Sequence, residues 1–145
     1  AGVVTVATTK LIAEPEGFVG RVRLSRVTTF SGDVFLRHKT TRRDLYEREF
    51  AKARGDGFDD VVFLNERGEV TEGAISNIFV RQAGRLLTPP LRSGVLPGVF
   101  RRYLLESDAS VEERVLTVRD LESAEAVFLG NSVRGLREVR LSKAG

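Results

Sequence analysis

The stretch "FLRHKTTRRDLYERE", residues 35–49, sets His38 beside Lys39 just before a segment with helical periodicity. His38 is the one histidine of the chain. A lysine at a strand-to-helix junction can be ordinary surface, a phosphate binder or a covalent catalyst. It acts as a nucleophile only as the free amine, a form that burial or neighbouring cations favour. Arg37, Arg42 and Arg43 are such cations. Read from these residues alone, Lys39 stays a solvated lysine with a nucleophile as the alternative. His38 reads as a packing neighbour. No second histidine or carboxylate cluster stands at metal-ligand spacing, so no metal site is expected. No nucleophile-elbow motif supports a serine triad.

Three further stretches could carry chemistry. In "GVLPGVFRR", Gly94 and Gly98 precede a helix whose first N–H groups could meet an anion. It is not a P-loop, because the lysine and hydroxyl after the second glycine are absent. In "GNSVRG", residues 130–135, Asn131 and Ser132 follow an apolar strand, a place where ligands sit in α/β sheets. The alternative is an Asx or Ser turn. In "TEGAISNIF", Glu72 and Asn77 flank small residues in an otherwise apolar strand region, and Glu72 could equally be a solvated strand end.

The elements that must position these residues follow from pattern. "VGRVRLSRV", residues 19–27, alternates apolar and basic as a half-exposed strand does. Thr40 or Thr41 can cap the next helix, whose apolar face is Leu45, Tyr46, Phe50 and Ala53. Gly55 and Gly57 end it. "DDVVFLN" is a strand and "ERGE" a turn with Gly68 free to take positive φ. "EGAISNIFVRQAGRLLTPP" reads as two strands joined through "QAGR" and ended by Pro89. "LRSGVLPGVFRRYLLES" is a loop into a helix. "VEERVLTV" is a strand, "RDLESA" a short helix, "EAVFLGNSV" a strand into a loop, and "RGLREVRL" a last strand. The sum is one α+β domain with a mixed sheet over residues 1–145.

Composition narrows the classes. The chain has 145 residues, 41% hydrophobic and 30% charged, which is enough to bury a core. There is no cysteine, which fits a cytoplasmic location. No apolar run reaches the length of a membrane helix. Net charge is +3, from 23 Lys+Arg against 20 Asp+Glu. The basic residues are interleaved with acids and lack an aromatic-rich basic motif, so neither a nucleic-acid nor a membrane partner is expected.

Taken in order, "HKTTRRDLY", "NERGEVTEGAISNIFV", "LLTPPLRSGVLPGVFR" and "VFLGNSVRGLRE" resemble four blocks of the fold-type IV pyridoxal-phosphate enzymes. These include aminodeoxychorismate lyases, branched-chain aminotransferases and D-amino-acid aminotransferases. The likeness is strongest to the lyase domain fused behind aminodeoxychorismate synthase, and it runs over about residues 19–141. The resemblance implies a mixed sheet or partial barrel with packed helices, the large cofactor-binding domain of that fold. It implies pyridoxal phosphate held covalently by Lys39. It implies Glu72 on the pyridine nitrogen and the amides of Val99 and Phe100 with the Ser132 hydroxyl on the phosphate. Many relatives carry threonine where Phe100 stands; backbone donors survive that change. Many aminotransferases carry a tyrosine shortly after the lysine for the ring oxygen. Here Arg43 is the candidate for that contact, a departure toward the lyase branch. Arg134 and Asn77 are the candidate substrate contacts.

The implied activity is 4-amino-4-deoxychorismate lyase, giving 4-aminobenzoate and pyruvate for folate synthesis. The rivals are transamination by the same apparatus and an inactive interaction or regulatory domain. Members of the family are about twice as long, with a smaller N-terminal domain that closes over the cofactor. Nothing here matches that domain, so the chain reads as the lysine-bearing half, normally fused to it. The expected partners are a small-molecule substrate and a second copy in a homodimer.

Overall fold

A computed structural model describes residues 2–142. Eight strands make one sheet, and three helices pack on it. The strands are β1 (Gly20–Leu24), β2 (Asp60–Leu64), β3 (Val70–Gly73), β4 (Asn77–Gln82), β5 (Arg85–Thr88), β6 (Val111–Glu113), β7 (Ala126–Asn131) and β8 (Gly135–Leu141). The helices are α1 (Asp44–Gly55), α2 (Val99–Ser107) and α3 (Val118–Ser123). Spatial order is β3-β2-β1-β8-β7-β4-β5-β6, and β3 also pairs with β4. Six strands therefore close into a ring, with β5 and β6 extending from β4. β1 runs parallel to β2 and β8, while the β2–β3, β3–β4, β4–β7 and β7–β8 pairs are antiparallel. The expected α+β class and partial barrel are what is found.

Strand period places the core. Val62 and Leu64, Ile78 and Val80, Val127 and Leu129, and Val139 and Leu141 each share one face of their strand and form one apolar cluster. Leu116 and Leu121, before and within α3, join that cluster, and the Leu116 carbonyl accepts from the Val70 amide at 2.7 Å. A second cluster sits outside the ring. There Tyr46 and Ala53 of α1 pack on Val61 and Phe63 of β2.

Helix α1 carries Asp44 and Glu47 in its first turn and Lys52 and Arg54 in its last, matching the helix dipole. It ends as glycine chemistry predicts: Gly57 takes φ +82°, and the Phe58 amide bonds back to the Ala53 carbonyl at 2.9 Å. Its start differs from expectation. Neither Thr40 nor Thr41 caps it. Arg43 is the capping position with no side-chain bond, and the Thr40 hydroxyl instead accepts from the Arg42 amide at 3.2 Å in the loop before it.

Other differences have plain causes. The run from Glu72 to Val80, expected as one strand, is split: Val70–Gly73 is a strand of its own, and Ala74–Ser76 turn it into β4. β6 keeps three residues of the eight-residue run, because its partner β5 stops at Thr88 before Pro89. α3 begins one residue earlier than its pattern, at a capping box of Thr117 and Asp120.

Phe63 is fully buried between β2 and α1, so Phe63→Ala is expected to cost about 3–5 kcal/mol in a denaturant titration.

Candidate functional site

The ring geometry gathers one set of strand ends. β1, β2 and β8 start where β3 and β7 finish, and β4 starts there too. Glu72, Asn77 and Asn131 lie at this mouth, with Asn77 paired to both Glu72 and Gly130.

A cavity of about 630 Å³ opens at the mouth, a size that suits a small-molecule ligand. Its lining includes each residue given a site role above: Lys39, Arg43, Glu72, Asn77, Val99, Phe100, Ser132 and Arg134. Segments spread over nearly a hundred positions thus meet around one space. Four cationic side chains and His38 border it, against one carboxylate, Glu72, among the described residues.

Glu72 is the fixed point. It is buried on β3. The Tyr46 hydroxyl donates to Oε1 at 3.1 Å, and the Leu96 amide to Oε2 at 2.9 Å. The Asn77 amide reaches Oε2 at 3.4 Å and the Leu96 carbonyl at 2.9 Å. Burial pushes the Glu72 carboxyl up to about 7, while the Leu96 amide, the Tyr46 hydroxyl, Arg43 and Arg101 pull it down.

The other residues are held by local geometry. Lys39 follows a 3-10 turn, Val34–Arg37, whose N-terminus is capped by Asp33. Its side chain is exposed at the cavity, and Lys52–Glu49 is the only lysine ion pair among the described residues. Arg43 donates from Nη2 to the Ala74 carbonyl and lies 5.2 Å above the Tyr46 ring. Helix α2 starts at the cavity without a side-chain cap, which leaves its first amides, Val99 and Phe100, without helical acceptors. The turn before it is tight. A Cβ on Gly98 would meet Asn77 Oδ1 at 2.2 Å, so glycine is needed there for close approach, not for φ. Ser132 is exposed in the β7–β8 turn. Asn131 Oδ1 shapes that turn, accepting from the amides of Val133 and Arg134 at 3.0 Å each.

The geometry revises some expectations. His38 is exposed at the lip of the cavity, because it ends the 3-10 turn in extended backbone; it is not a packed neighbour. Asn77, expected to meet substrate, has its amide committed to Glu72 and Leu96. Arg134, the other expected substrate contact, donates to the Ile12 carbonyl at 3.2 Å and stands 3.7 Å from Glu14, so its guanidinium ties down the N-terminal segment at the cavity edge. Tyr46 and the Leu96 amide were missed as site groups. The apolar stripe of α1 gives the burial of Tyr46 but not the acceptor its hydroxyl finds. A backbone donor leaves no residue signal at all.

The profile of the amino-transferase class IV family matches residues 3–141. The chain belongs to that family. A probable branched-chain-amino-acid aminotransferase of Thermotoga maritima is 40% identical over 85 residues, 56% of this chain and 31% of the relative. The aminodeoxychorismate lyase of Bacillus subtilis is 32% identical over 118 residues, 79% of this chain and 40% of the relative. A solved structure of a putative amino-acid aminotransferase from Mesorhizobium loti superposes with TM-score 0.82 at 42% identity, covering 87% of this chain and 61% of that one. The chain thus spans less than half the length of these two curated relatives. No helix among the described residues is long and apolar enough to cross a membrane.

Glu72 binds a proton more tightly when folded than its ordinary value of 4.5, so its ionisation opposes folding as pH rises from 4.5 to about 7. Glu72→Gln removes that penalty. Comparing denaturant midpoints at both ends of this window, the variant is expected to gain on the parent by up to about 3 kcal/mol toward neutral pH.

Proposed function

We propose that this chain holds pyridoxal phosphate and is the cofactor-bearing part of an aminodeoxychorismate lyase, which splits 4-amino-4-deoxychorismate into 4-aminobenzoate and pyruvate. One observation carries the cofactor reading. Lys39, the buried Glu72, the uncapped start of α2 and Ser132 share a single cavity.

The residues fit the group part by part. Lys39 offers an amine for the aldehyde. Glu72, which accepts from the Tyr46 hydroxyl and the Leu96 amide, suits a protonated ring nitrogen as a carboxylate. The Val99 and Phe100 amides and the Ser132 hydroxyl suit a phosphate. Arg43, held by the Ala74 carbonyl, suits the ring oxygen. When bound, pyridoxal phosphate supplies an electron sink for the carbon next to the substrate nitrogen.

Lys39 then does the proton work. Its freed amine Nζ takes the proton from the amine-bearing ring carbon. The C–O bond to the enolpyruvyl group breaks as the ring becomes aromatic. Lys39 returns a proton to the methylene carbon of the departing enolpyruvate, giving pyruvate. As a carboxylate, Glu72 would hold the proton on the ring nitrogen of the bound cofactor.

The charge of the cavity supports the lyase. Its substrate is a dianion, and the lining is strongly basic. A second reading, transamination of an aliphatic amino acid, draws on the apolar part of the same lining, with Leu11, Ile75 and Val133, and on the Thermotoga relative. In either reading a further domain of a longer protein closes the cavity, because the chain matches under half of these curated relatives.

The two are separated by products. With 4-amino-4-deoxychorismate, equal amounts of pyruvate and 4-aminobenzoate are expected, falling at least about 100-fold in Lys39→Ala. Amino transfer from isoleucine to 2-oxoglutarate without pyruvate release would instead select the second reading.

A further inference from the structure

Glu72 borders two cavities. The larger holds Lys39 and the start of α2. The smaller, of about 280 Å³, is bounded by residues that include Thr28, Asp33, Phe35, Leu45 and Tyr46. Glu72, Arg43, His38 and Leu96 line both. Tyr46 lines only the smaller one, yet its hydroxyl meets Glu72 Oε1 at 3.1 Å.

We propose that Tyr46 is a positioning residue that acts through Glu72. Its hydroxyl fixes the carboxylate from the side of the smaller cavity and keeps it anionic for the cationic ring nitrogen on the other side. The proposal rests on reading the larger cavity as a pyridoxal-phosphate site.

The argument is one of hydrogen-bond supply. A buried carboxylate stays ionised only where donors replace water. The groups facing Glu72 are Tyr46 on α1, Arg43 at its start, Asn77 on β4, the Leu96 amide before α2, and Arg101 on α2. Leu96 and Asn77 both serve Oε2; Tyr46 alone among the described residues donates to Oε1. Burial, and then the charge of Glu72, push the Tyr46 phenol upward, so it remains a donor across the working pH range. The Tyr46 ring cannot swing away. It packs on Phe63 with centroids 4.5 Å apart, and the Arg43 guanidinium covers it at 5.2 Å. The segment that brings Lys39 to the cavity thus also brings, seven residues later, the group that holds the partner carboxylate.

The test uses Tyr46→Phe, which keeps the ring contact with Phe63. Glutamate 13C labelling follows the Glu72 carboxyl through a pH titration of the cofactor-free chain, with Glu72→Gln assigning the signal. Pyridoxal-phosphate binding is measured in parallel by absorbance. The expected result is a midpoint raised by about half a unit or more, with cofactor binding weakened several-fold. A second variant carries 3,5-difluorotyrosine in place of Tyr46. Its more acidic phenol is a stronger donor and is expected to move the midpoint down.

An unchanged midpoint in both variants would overturn the proposal, as would a shifted midpoint with cofactor affinity intact. If the unaltered chain binds no pyridoxal phosphate at Lys39, the cofactor reading falls, and the positioning role falls with it whatever the midpoints do.

Discussion

A carboxylate taken out of water must be given donors, or it takes a proton. Glu72 is that carboxylate here, and much of the mouth of the barrel is arranged to supply it. The Leu96 amide, the Asn77 side chain and the Tyr46 hydroxyl come from a loop, a strand and a helix that share no local sequence. Each has further ties. Asn77 pairs with Glu72 across the β3–β4 turn and also holds the Leu96 carbonyl. Tyr46 is fixed by Phe63 and Arg43. One buried charge therefore couples the ring closure, the start of α2 and the docking of α1.

That coupling explains how the loops are set. The turn before α2 approaches β4 closely: a Cβ at position 98 would meet Asn77 Oδ1 at 2.2 Å and displace a side chain already bonded to Glu72 and Leu96. Gly94, with φ +87°, brings the preceding segment against Ser31, where a Cβ would fall 2.8 Å from Ser31 Cα. Ser31 and Ser93 are in turn bonded to Glu66 and Glu69 of the β2–β3 turn, with Arg67 bridging them. The loop before Lys39, the hairpin and the entry to α2 are thus laced together. Lys39 itself stays at the open rim, where an amine can reach a ligand.

The order of the four blocks made the fold and the members of the cavity legible before any coordinates. Period alone found most strands, because one face of each is apolar. The separation of β3 from β4 was not legible, because "VTEG" ends in a buried acid and a glycine and runs straight into "AIS" with no proline to mark the turn. Side-chain candidates at 39, 43, 72, 77, 132 and 134 could be named because the four blocks resemble those of the fold-type IV enzymes; by residue type alone Lys39 stayed a solvated lysine and Ser132 a turn residue. What those side chains bond to could not be read. Whether the guanidinium of Arg134 meets a ligand or Ile12 and Glu14 depends on a segment more than a hundred residues away. His38 illustrates the same limit, since its exposure follows from the turn that precedes it and not from its identity.

The central claim is that Lys39 carries pyridoxal phosphate in this cavity. The direct measurement is to add the cofactor to the purified chain, reduce with borohydride and map the modified peptide. The account predicts one pyridoxyl group, on Lys39, with labelling weakened in Glu72→Gln. Label on another lysine, or none, would contradict it.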